Sequence, residues 1–182
     1  MSISILGAGA FGTSLAIALA SKGPVTLWAR NQEHVIEMQL ERQNSRRLKG
    51  AKFPENLELT AELVSASSND ILLLAVPMQL LGSFLKENAT QLAGKQLVAC
   101  CKGIDRVTGL GPIDLIKTII PTAHSAILTG PSFANDIAIG LPTALSLACT
   151  NEAVGLGLCK FSANYIFNKL QLKGIILRST ED

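Results

Sequence analysis

The chain has 182 residues, of which 48% are hydrophobic and 16% are charged, and its formal net charge is +2. This length suits one domain with a large core. The apolar fraction argues against intrinsic disorder, and the small net charge argues against nucleic acid as a main partner. Aromatic residues make up only 4%, so the core must be mainly aliphatic, which suits a parallel sheet covered by helices.

The first 21 residues, MSISILGAGAFGTSLAIALAS, contain no charged side chain. Secretion signals and membrane anchors also begin with apolar runs, but a signal needs a positively charged segment before its run, and here only two residues precede it. The run is interrupted by glycines with the spacing G-x-G-x-x-G: Gly7, Gly9 and Gly12. A strand-like pattern precedes them and a helix-like pattern follows, as in turns that bind a dinucleotide pyrophosphate. We therefore expect no membrane insertion.

Further apolar runs of strand length alternate with segments of helix length. The predicted strands cover residues 25–28, 71–76, 96–101, 124–129, 143–149 and 175–178. The predicted helices cover residues 31–42, 78–92, 111–119 and 152–163. This alternation predicts an α/β fold with a Rossmann-like, doubly wound, mostly parallel sheet and helices on both faces. No linker divides the chain, so residues 1–182 are expected to form one dinucleotide-binding domain.

Unusual residues follow five of the predicted strands. Besides the glycines after the first strand, they are Arg30, Pro77, Lys102 with Gly103, and Gly130-Pro131-Ser132. In doubly wound sheets the ligand lies at the carboxyl ends of the strands. Glycine turns, two cations and a hydroxyl at one edge favour a phosphate-bearing cofactor and an anionic substrate.

Arg30 stands where a site selective for NAD usually has an acidic residue that binds the ribose 2′-hydroxyl. A guanidinium pairs with a 2′-phosphate, whereas a carboxylate repels it. NADP(H) is therefore favoured over NAD(H). Two alternatives stay open: that the cofactor is NAD(H), and that Arg30 is only a solvated arginine. A nearby basic segment is interpreted as a solvated face, with a role at the phosphate end of the cofactor as the alternative. It comprises Arg42, Arg46, Arg47, Lys49 and Lys52.

The four cysteines and two histidines form no ligand pattern. Cys100 and Cys101 are adjacent, and Cys149 and Cys159 lie singly in apolar segments. These spacings match neither a zinc site nor a redox CxxC motif. We interpret the cysteines as small core residues in a reducing compartment. We therefore expect no metal and a cytoplasmic location.

Several segments resemble the N-terminal domain of the NAD(P)-dependent glycerol-3-phosphate dehydrogenases. They are ILGAGAFGTSLAIALA, LWAR, AVPMQ, CKGI and LTGPSFANDIAIGLPTALSLA, in this order and over nearly the whole chain. The resemblance implies that Ala10 and Phe11 line the cofactor beside the glycines, and that Arg30 contacts its adenosine ribose region. It also implies that Pro77 and Ala134 lie beside the cofactor.

The same resemblance implies hydride transfer between a nicotinamide cofactor and a small phosphate substrate, interconverting dihydroxyacetone phosphate and sn-glycerol 3-phosphate for phospholipid biosynthesis. Lys102 is then the catalytic residue, in contact with substrate and cofactor, and Gly130 and Ser132 contact the substrate. A lysine near the reacting carbonyl stabilises the negative charge that grows on its oxygen, or donates a proton to it.

The chain also departs from the family pattern. Arg47-Leu48-Lys49 stands where Tyr-Leu-Pro is common, and Asn135-Asp136 where Lys-Glu is usual. In the family a helical substrate domain follows, so the resemblance implies that residues 1–182 are catalytically incomplete alone and that the full-length form is a candidate homodimer. Two alternatives stay open: a related hydroxy-acid or sugar-acid dehydrogenase, and a non-catalytic nucleotide-binding domain.

Overall fold

The computed structural model describes residues 2–141, 143 and 145–149. The strands in this part of the chain are β1 (Ile3–Leu6), β2 (Val25–Trp28), β3 (Gln43–Asn44), β4 (Leu48–Lys52), β5 (Leu57–Thr60), β6 (Ile71–Leu74), β7 (Gln96–Ala99), β8 (His124–Thr129) and β9 (Ser146–Cys149). The helices are α1 (Ala10–Ala20), α2 (Gln32–Glu41), α3 (Leu63–Ser67), α4 (Met78–Glu87), α5 (Ala89–Leu92), α6 (Pro112–Ile119) and α7 (Ala134–Ala138).

Seven strands form one sheet in the order β5-β2-β1-β6-β7-β8-β9, and β3 and β4 form a separate antiparallel hairpin. The first six strands in this order, from β5 at the edge to β8, run parallel. The last strand, β9, pairs antiparallel with β8. The chain builds outward from β1 through β2 to β5, and then returns to the other side of β1 with β6. Doubly wound sheets bind ligands at such a reversal, outside the carboxyl ends of the strands.

The sheet is buried on both faces. Successive residues of a strand point to opposite sides. In β6, Ile71 and Leu73 belong to a core that includes residues of α1 and α2, whereas Leu72 and Leu74 belong to a second core with residues of α4 and α6. Burial on both faces explains why the central strands are continuous apolar runs, and the predicted fold class is confirmed.

Some predicted boundaries are wrong. The segment 78–92 is two helices, because the chain leaves the helical path at Asn88, whose side chain donates to the Phe84 carbonyl at 2.7 Å. Such side chain–backbone bonds compete with the helix ladder. The last described strand begins at Ser146, not at 143. The strand predicted at 175–178 and the helix predicted at 152–163 lie outside the described residues.

Neither β5 nor the β3–β4 hairpin was predicted, and the hairpin lies in the basic segment that was interpreted as a solvated face. Lys49 and Lys52 are exposed as expected. Arg42 is not: it is half-buried, adopts a left-handed conformation with φ 50°, and donates to the carbonyls of Leu57 and Pro54. The guanidinium thus joins the end of α2 to the turn that precedes β5, which corrects that interpretation for Arg42.

The uncharged opening run forms β1, the glycine turn and α1. The helix has 11 residues. Within the described ranges, no helix combines the length and the apolar character needed to cross a bilayer.

Candidate functional site

The glycine turn after β1 is held by close backbone contacts. Gly7 has φ +125°, its N–H donates to the Trp28 carbonyl at 3.0 Å, and a Cβ added to it would lie 2.6 Å from the Ala75 oxygen. A Cβ added to Gly12 would lie 2.0 Å from the Gly7 oxygen. The fold itself therefore requires glycine at both positions, since no real Cβ sits that close to another atom.

Gly9 is different. Its backbone is extended, at φ −73° and ψ 177°, which any residue adopts, and a Cβ added there would meet no atom of the described residues within 4 Å. Nothing in the surrounding protein accounts for the missing side chain. The open space at Gly9 is the kind of cradle into which a bound group approaches the backbone.

The N-terminus of α1 adds to this cradle. Gly9 is its N-cap, and in the described structure no side chain caps the helix and no acidic residue lies in its first turn. The first N–H groups of a helix have no partner within the helix, and its dipole is positive at this end. The arrangement suits the pyrophosphate of a dinucleotide.

A cavity of about 1260 Å³ runs along the carboxyl edge of the sheet. All predicted site residues line it except Gly130. Because β2 and β7 lie on opposite sides of β1 and β6, residues that follow β2 lie on one side of the glycine turn, and residues that follow β7 and β8 lie on the other. The cavity therefore has a basic end, a glycine centre and a lysine–serine end.

At the basic end, Arg30 follows β2 and Arg46 and Arg47 come from the turn between β3 and β4. Arg46 forms an ion pair with Glu37 of α2, and this bond raises the pKa of Arg46 above its usual value. Arg30 and Arg47 are exposed, and neither has an acidic partner in the part of the chain that the structure describes. Two guanidinium groups are thus free to meet an anion.

At the other end, Lys102 and Ser132 lie on the loops after β7 and β8. The Lys102 ammonium donates to the Gly130 carbonyl at 3.1 Å, which brings the predicted substrate residues together. Two further N–H groups of that ammonium remain for a ligand. Ser132 lines the cavity. Its hydroxyl oxygen is buried and has no hydrogen-bond partner among the described residues.

A known protein family matches most of the chain. A family model described as NAD-dependent glycerol-3-phosphate dehydrogenase N-terminus matches residues 2–155. The chain belongs to this family. The match confirms the resemblance found in the sequence.

Relatives named glycerol-3-phosphate dehydrogenase [NAD(P)+] include one from Ruegeria sp. (strain TM1040), 52% identical over 87% of this chain and 49% of its own length. Another, from Roseobacter denitrificans, is 55% identical over 83% of this chain and 47% of its own length. The crystal structure of glycerol-3-phosphate dehydrogenase from Coxiella burnetii superposes with a TM-score of 0.87 at 30% identity, covering 96% of this chain and 53% of that one. The chain spans about half the length of these dehydrogenases.

The two thiols that line the cavity are poor nucleophiles. Cys100 and Cys101 both line the cavity and are buried, and burial raises the pKa of each thiol. The Cys101 sulfur also lies 3.6 Å from that of Met78. Cys149 is buried as well, so the interpretation as core residues is confirmed for these three, whereas Cys159 lies outside the described residues. Across the described ranges, no group of three His, Cys, Asp or Glu side chains could hold a metal ion.

Two polar residues at the basic end, His34 and Asn44, were not predicted from the sequence. His34 lines the cavity from the first turn of α2, and Asn44 is fully buried beneath it in β3. Both stand in polar stretches of sequence without apolar periodicity, so nothing local distinguishes them from surface residues. The basic segment was interpreted as a solvated face, with a role at the phosphate end of the cofactor as the alternative.

Proposed function

We propose that this chain is the dinucleotide-binding domain of an NAD(P)-dependent glycerol-3-phosphate dehydrogenase, an enzyme that interconverts dihydroxyacetone phosphate and sn-glycerol 3-phosphate by hydride transfer. One observation carries the proposal: a single cavity joins two exposed arginines, a glycine turn with open space at Gly9, and the Lys102–Ser132 pair. A dinucleotide with an anionic substrate beside its nicotinamide needs these groups in this order.

The residues fit a dinucleotide on grounds of their own chemistry. The space at Gly9 and the uncapped N-terminus of α1 suit a pyrophosphate. When bound, the nicotinamide ring supplies or accepts the hydride. Gly7 and Gly12 hold the turn, and the extended backbone at Gly9 lets the phosphates approach the helix N–H groups.

Lys102 is the catalytic residue in this proposal. Reduction of a carbonyl builds negative charge on its oxygen, and a positioned ammonium stabilises that charge and donates a proton to it. The bond from Lys102 to the Gly130 carbonyl supports this role, because it restrains the side chain at the end of the cavity away from the arginines. Ser132, whose hydroxyl has no partner in the described part of the chain, is proposed to contact the substrate, with Gly130 beside it.

NADP(H) is the proposed cofactor, with NAD(H) as the weaker ligand. Arg30 and Arg47 are exposed at the end of the cavity that follows β2, where the adenosine ribose lies in doubly wound folds. A guanidinium forms strong bidentate bonds with a phosphate. Arg46 contributes less, since its guanidinium already pairs with Glu37.

A cytoplasmic location is proposed on the buried thiols. Cys100, Cys101 and Cys149 are buried and form no disulfide within the described residues, which suits a compartment in which free thiols persist.

The deciding experiment is a titration of the 182-residue chain with NADPH, followed by NADPH fluorescence. Saturable enhancement is expected, and no change at millimolar cofactor would contradict the proposal. Because the chain spans about half the length of its relatives, we expect slow or undetectable oxidation of NADPH by dihydroxyacetone phosphate. Rapid turnover would show that residues 1–182 suffice for catalysis.

A further inference from the structure

Asn44 is a polar residue that is completely buried, at 0% exposure. Its amide nitrogen donates to the Ala8 carbonyl at 3.0 Å and to the Thr13 hydroxyl at 2.8 Å. Ala8 is the residue between Gly7 and Gly9, and Thr13 lies at the start of α1. One hydrogen of the amide therefore binds the glycine turn, and the other binds the helix that follows it.

The opposite side of the same amide faces α2. A carbonyl oxygen only accepts hydrogen bonds, so the contact with Ala8 requires the nitrogen of Asn44 on that side and its oxygen on the other. That oxygen lies 3.0 Å from Nε2 of His34, which must then carry a hydrogen. His34 is in the first turn of α2, and Asn31, next to Arg30 in the chain, caps that turn by accepting from the His34 N–H at 2.7 Å.

The backbone of Asn44 makes a third connection. Its carbonyl accepts from the Arg47 N–H at 3.2 Å, which closes the turn that carries the basic residues. One residue thus bonds to the glycine turn, to the helix after Arg30 and to the loop with Arg47.

We propose that Asn44 is a positioning residue, which holds the pyrophosphate-binding turn at a set distance from the arginines at the adenosine end. This inference rests on the proposed function. The carbonyl of Ala8 and the N–H of Gly9 belong to one planar trans peptide and point in opposite directions. Anchoring that carbonyl therefore sets the direction of the Gly9 N–H, which belongs to the cradle.

The glycine spacing alone does not achieve this. Gly7 and Gly12 are packed against each other and against Ala75, and the Gly7 N–H bonds to the Trp28 carbonyl, but none of these contacts involves Ala8 or the loop that carries Arg47. The Asn44 amide bonds to Ala8 and Thr13, which are 36 and 31 residues away in sequence. A buried amide with every group bonded is stiff, because any shift leaves a desolvated polar group unpaired.

The test uses Asn44→Asp in the full chain. This change keeps the size of the side chain and its acceptor for His34, but replaces the donor with an oxygen that faces the Ala8 carbonyl. The matched control is Asn69→Asp. The Asn69 amide also donates to a backbone carbonyl and a hydroxyl, those of Ile3 and Ser4, at 3.1 and 2.8 Å, but at the amino edge of the sheet, away from the cavity.

Two measurements need no cofactor. Nitrogen-15 shifts of the His34 ring in the wild-type chain are expected to show the tautomer with hydrogen on Nε2. Hydrogen exchange at Gly7 and Thr13, whose N–H groups donate to the carbonyls of Trp28 and Gly9, is expected to quicken in Asn44→Asp and not in Asn69→Asp. A hydrogen on Nδ1 alone, or unchanged exchange in Asn44→Asp, would overturn the inference. These results stand whether or not the chain binds NADPH, so they separate failure of the positioning role from failure of the proposed function.

The cofactor readout compares dissociation constants for NADPH and NADH. Asn44→Asp is expected to weaken NADPH by about tenfold or more, the size of one lost charge-assisted contact, and to lower the preference for NADPH over NADH. Asn69→Asp is expected to lower the melting temperature without changing either constant. Equal behaviour of the two variants would reduce Asn44 to a structural residue and refute the proposal.

A second variant covers the case in which Asn44→Asp does not fold. Thr13→Val removes one partner of the Asn44 amide with little change in shape. We expect it to fold, to quicken exchange at the glycine turn and to weaken NADPH severalfold. Wild-type exchange and affinity in Thr13→Val would count against the inference.

Discussion

Gly12 lies against the Gly7 carbonyl so closely that a Cβ on Gly12 would stand 2.0 Å from that oxygen. The same hypothetical Cβ would lie 2.9 Å from the side chain of Ala75 in the loop after β6. This contact lets α1 begin directly over the sheet, at the reversal of strand order. The third glycine of the motif, Gly12, is therefore required by the packing of α1 on the sheet, whereas the second, Gly9, leaves open space beside the turn.

Gly12→Ala is expected to destabilise the domain strongly. The added methyl group would overlap a backbone oxygen, which cannot move aside as a flexible side chain can. We expect a loss of at least about 3 kcal/mol of unfolding free energy, at the upper end for overpacked cores. Urea denaturation followed by circular dichroism measures it, and a loss below about 1 kcal/mol would show that the turn relaxes.

Gly9→Ala is expected to keep the stability of the domain and to weaken cofactor binding. The backbone at Gly9 suits alanine, so stability should stay the same or rise by up to about 1 kcal/mol. The methyl group would fill the space where the pyrophosphate approaches, and NADPH binding should weaken by about tenfold or more. Urea denaturation measures the free energy of unfolding, and fluorescence titration measures the dissociation constant for NADPH. Wild-type affinity in this variant would mean that the phosphates bind elsewhere.

Arg30→Ala is expected to weaken NADPH by about 1–3 kcal/mol more than NADH, because a charge-assisted bond to the 2′-phosphate is lost. Lys22→Ala is the control, since Lys22 is an exposed cation beyond the other end of α1. Calorimetric titration with both cofactors measures the difference. An equal loss for the two would mean that Arg30 does not bind the 2′-phosphate.

Trp28 is the only tryptophan of the chain, and it provides a direct signal for binding. It lines the cavity, donates its indole N–H to the Ala61 carbonyl at 2.9 Å and lies with its ring 5.6 Å from that of Phe84. Bound NADPH should quench its emission by energy transfer, because reduced nicotinamide absorbs where tryptophan emits. Trp28→Phe should lose the transferred signal while directly excited NADPH still reports binding. Unquenched Trp28 at saturating NADPH would argue against this cavity.

The ionised carboxylate of Asp105 is expected to stabilise the folded domain, and this contribution is expected to be lost in acid. Its carboxylate accepts from the hydroxyl and the N–H of Thr108, at 2.7 and 2.8 Å, and these bonds lower its pKa below the ordinary 3.8. A group whose pKa is lower in the folded state stabilises that state above its unfolded pKa and loses this effect as the pH falls through the folded pKa. Asp105→Asn should therefore be less stable than wild type at pH 7.

The gap between Asp105→Asn and wild type should close as the pH falls below about 3.8, the ordinary pKa of the group. Melting temperatures at several pH values measure it. Glu55→Gln, at an exposed turn residue, controls for the loss of one negative charge. A gap that stays constant between pH 7 and pH 3 would contradict the lowered pKa.

Much of the architecture follows from local patterns. The apolar runs at 25–28 and 71–74 are strands because a buried parallel strand needs apolar residues on both faces. Arg30, Lys102 and Ser132 could be predicted to converge because the carboxyl ends of parallel strands share one edge. Their proposed contacts with cofactor and substrate remain predictions, since proximity to a cavity is not binding.

Other features could not be predicted. Leu57 and Leu59 alternate with polar residues in β5, but four residues of alternation beside a basic segment are a weak signal. Arg46 and Arg47 are identical neighbours in sequence, yet Arg46 pairs with Glu37, whereas Arg47 meets no acidic residue among those that the structure describes. Which of them meets an acidic residue depends on how the β3–β4 hairpin lies against α2.

The amino-acid sequence was enough to predict the central parallel strands, the glycine turn and the family, because each depends on residues that are close together in the chain. Only the tertiary structure decided that Gly12 serves packing while Gly9 leaves space, and that Asn44 is buried between the glycine turn and His34. These contacts join residues that are far apart in the chain. The approach of Gly12 to the Ala75 side chain, or a hydrogen bond across 36 residues, exists only after the helices have packed on the sheet.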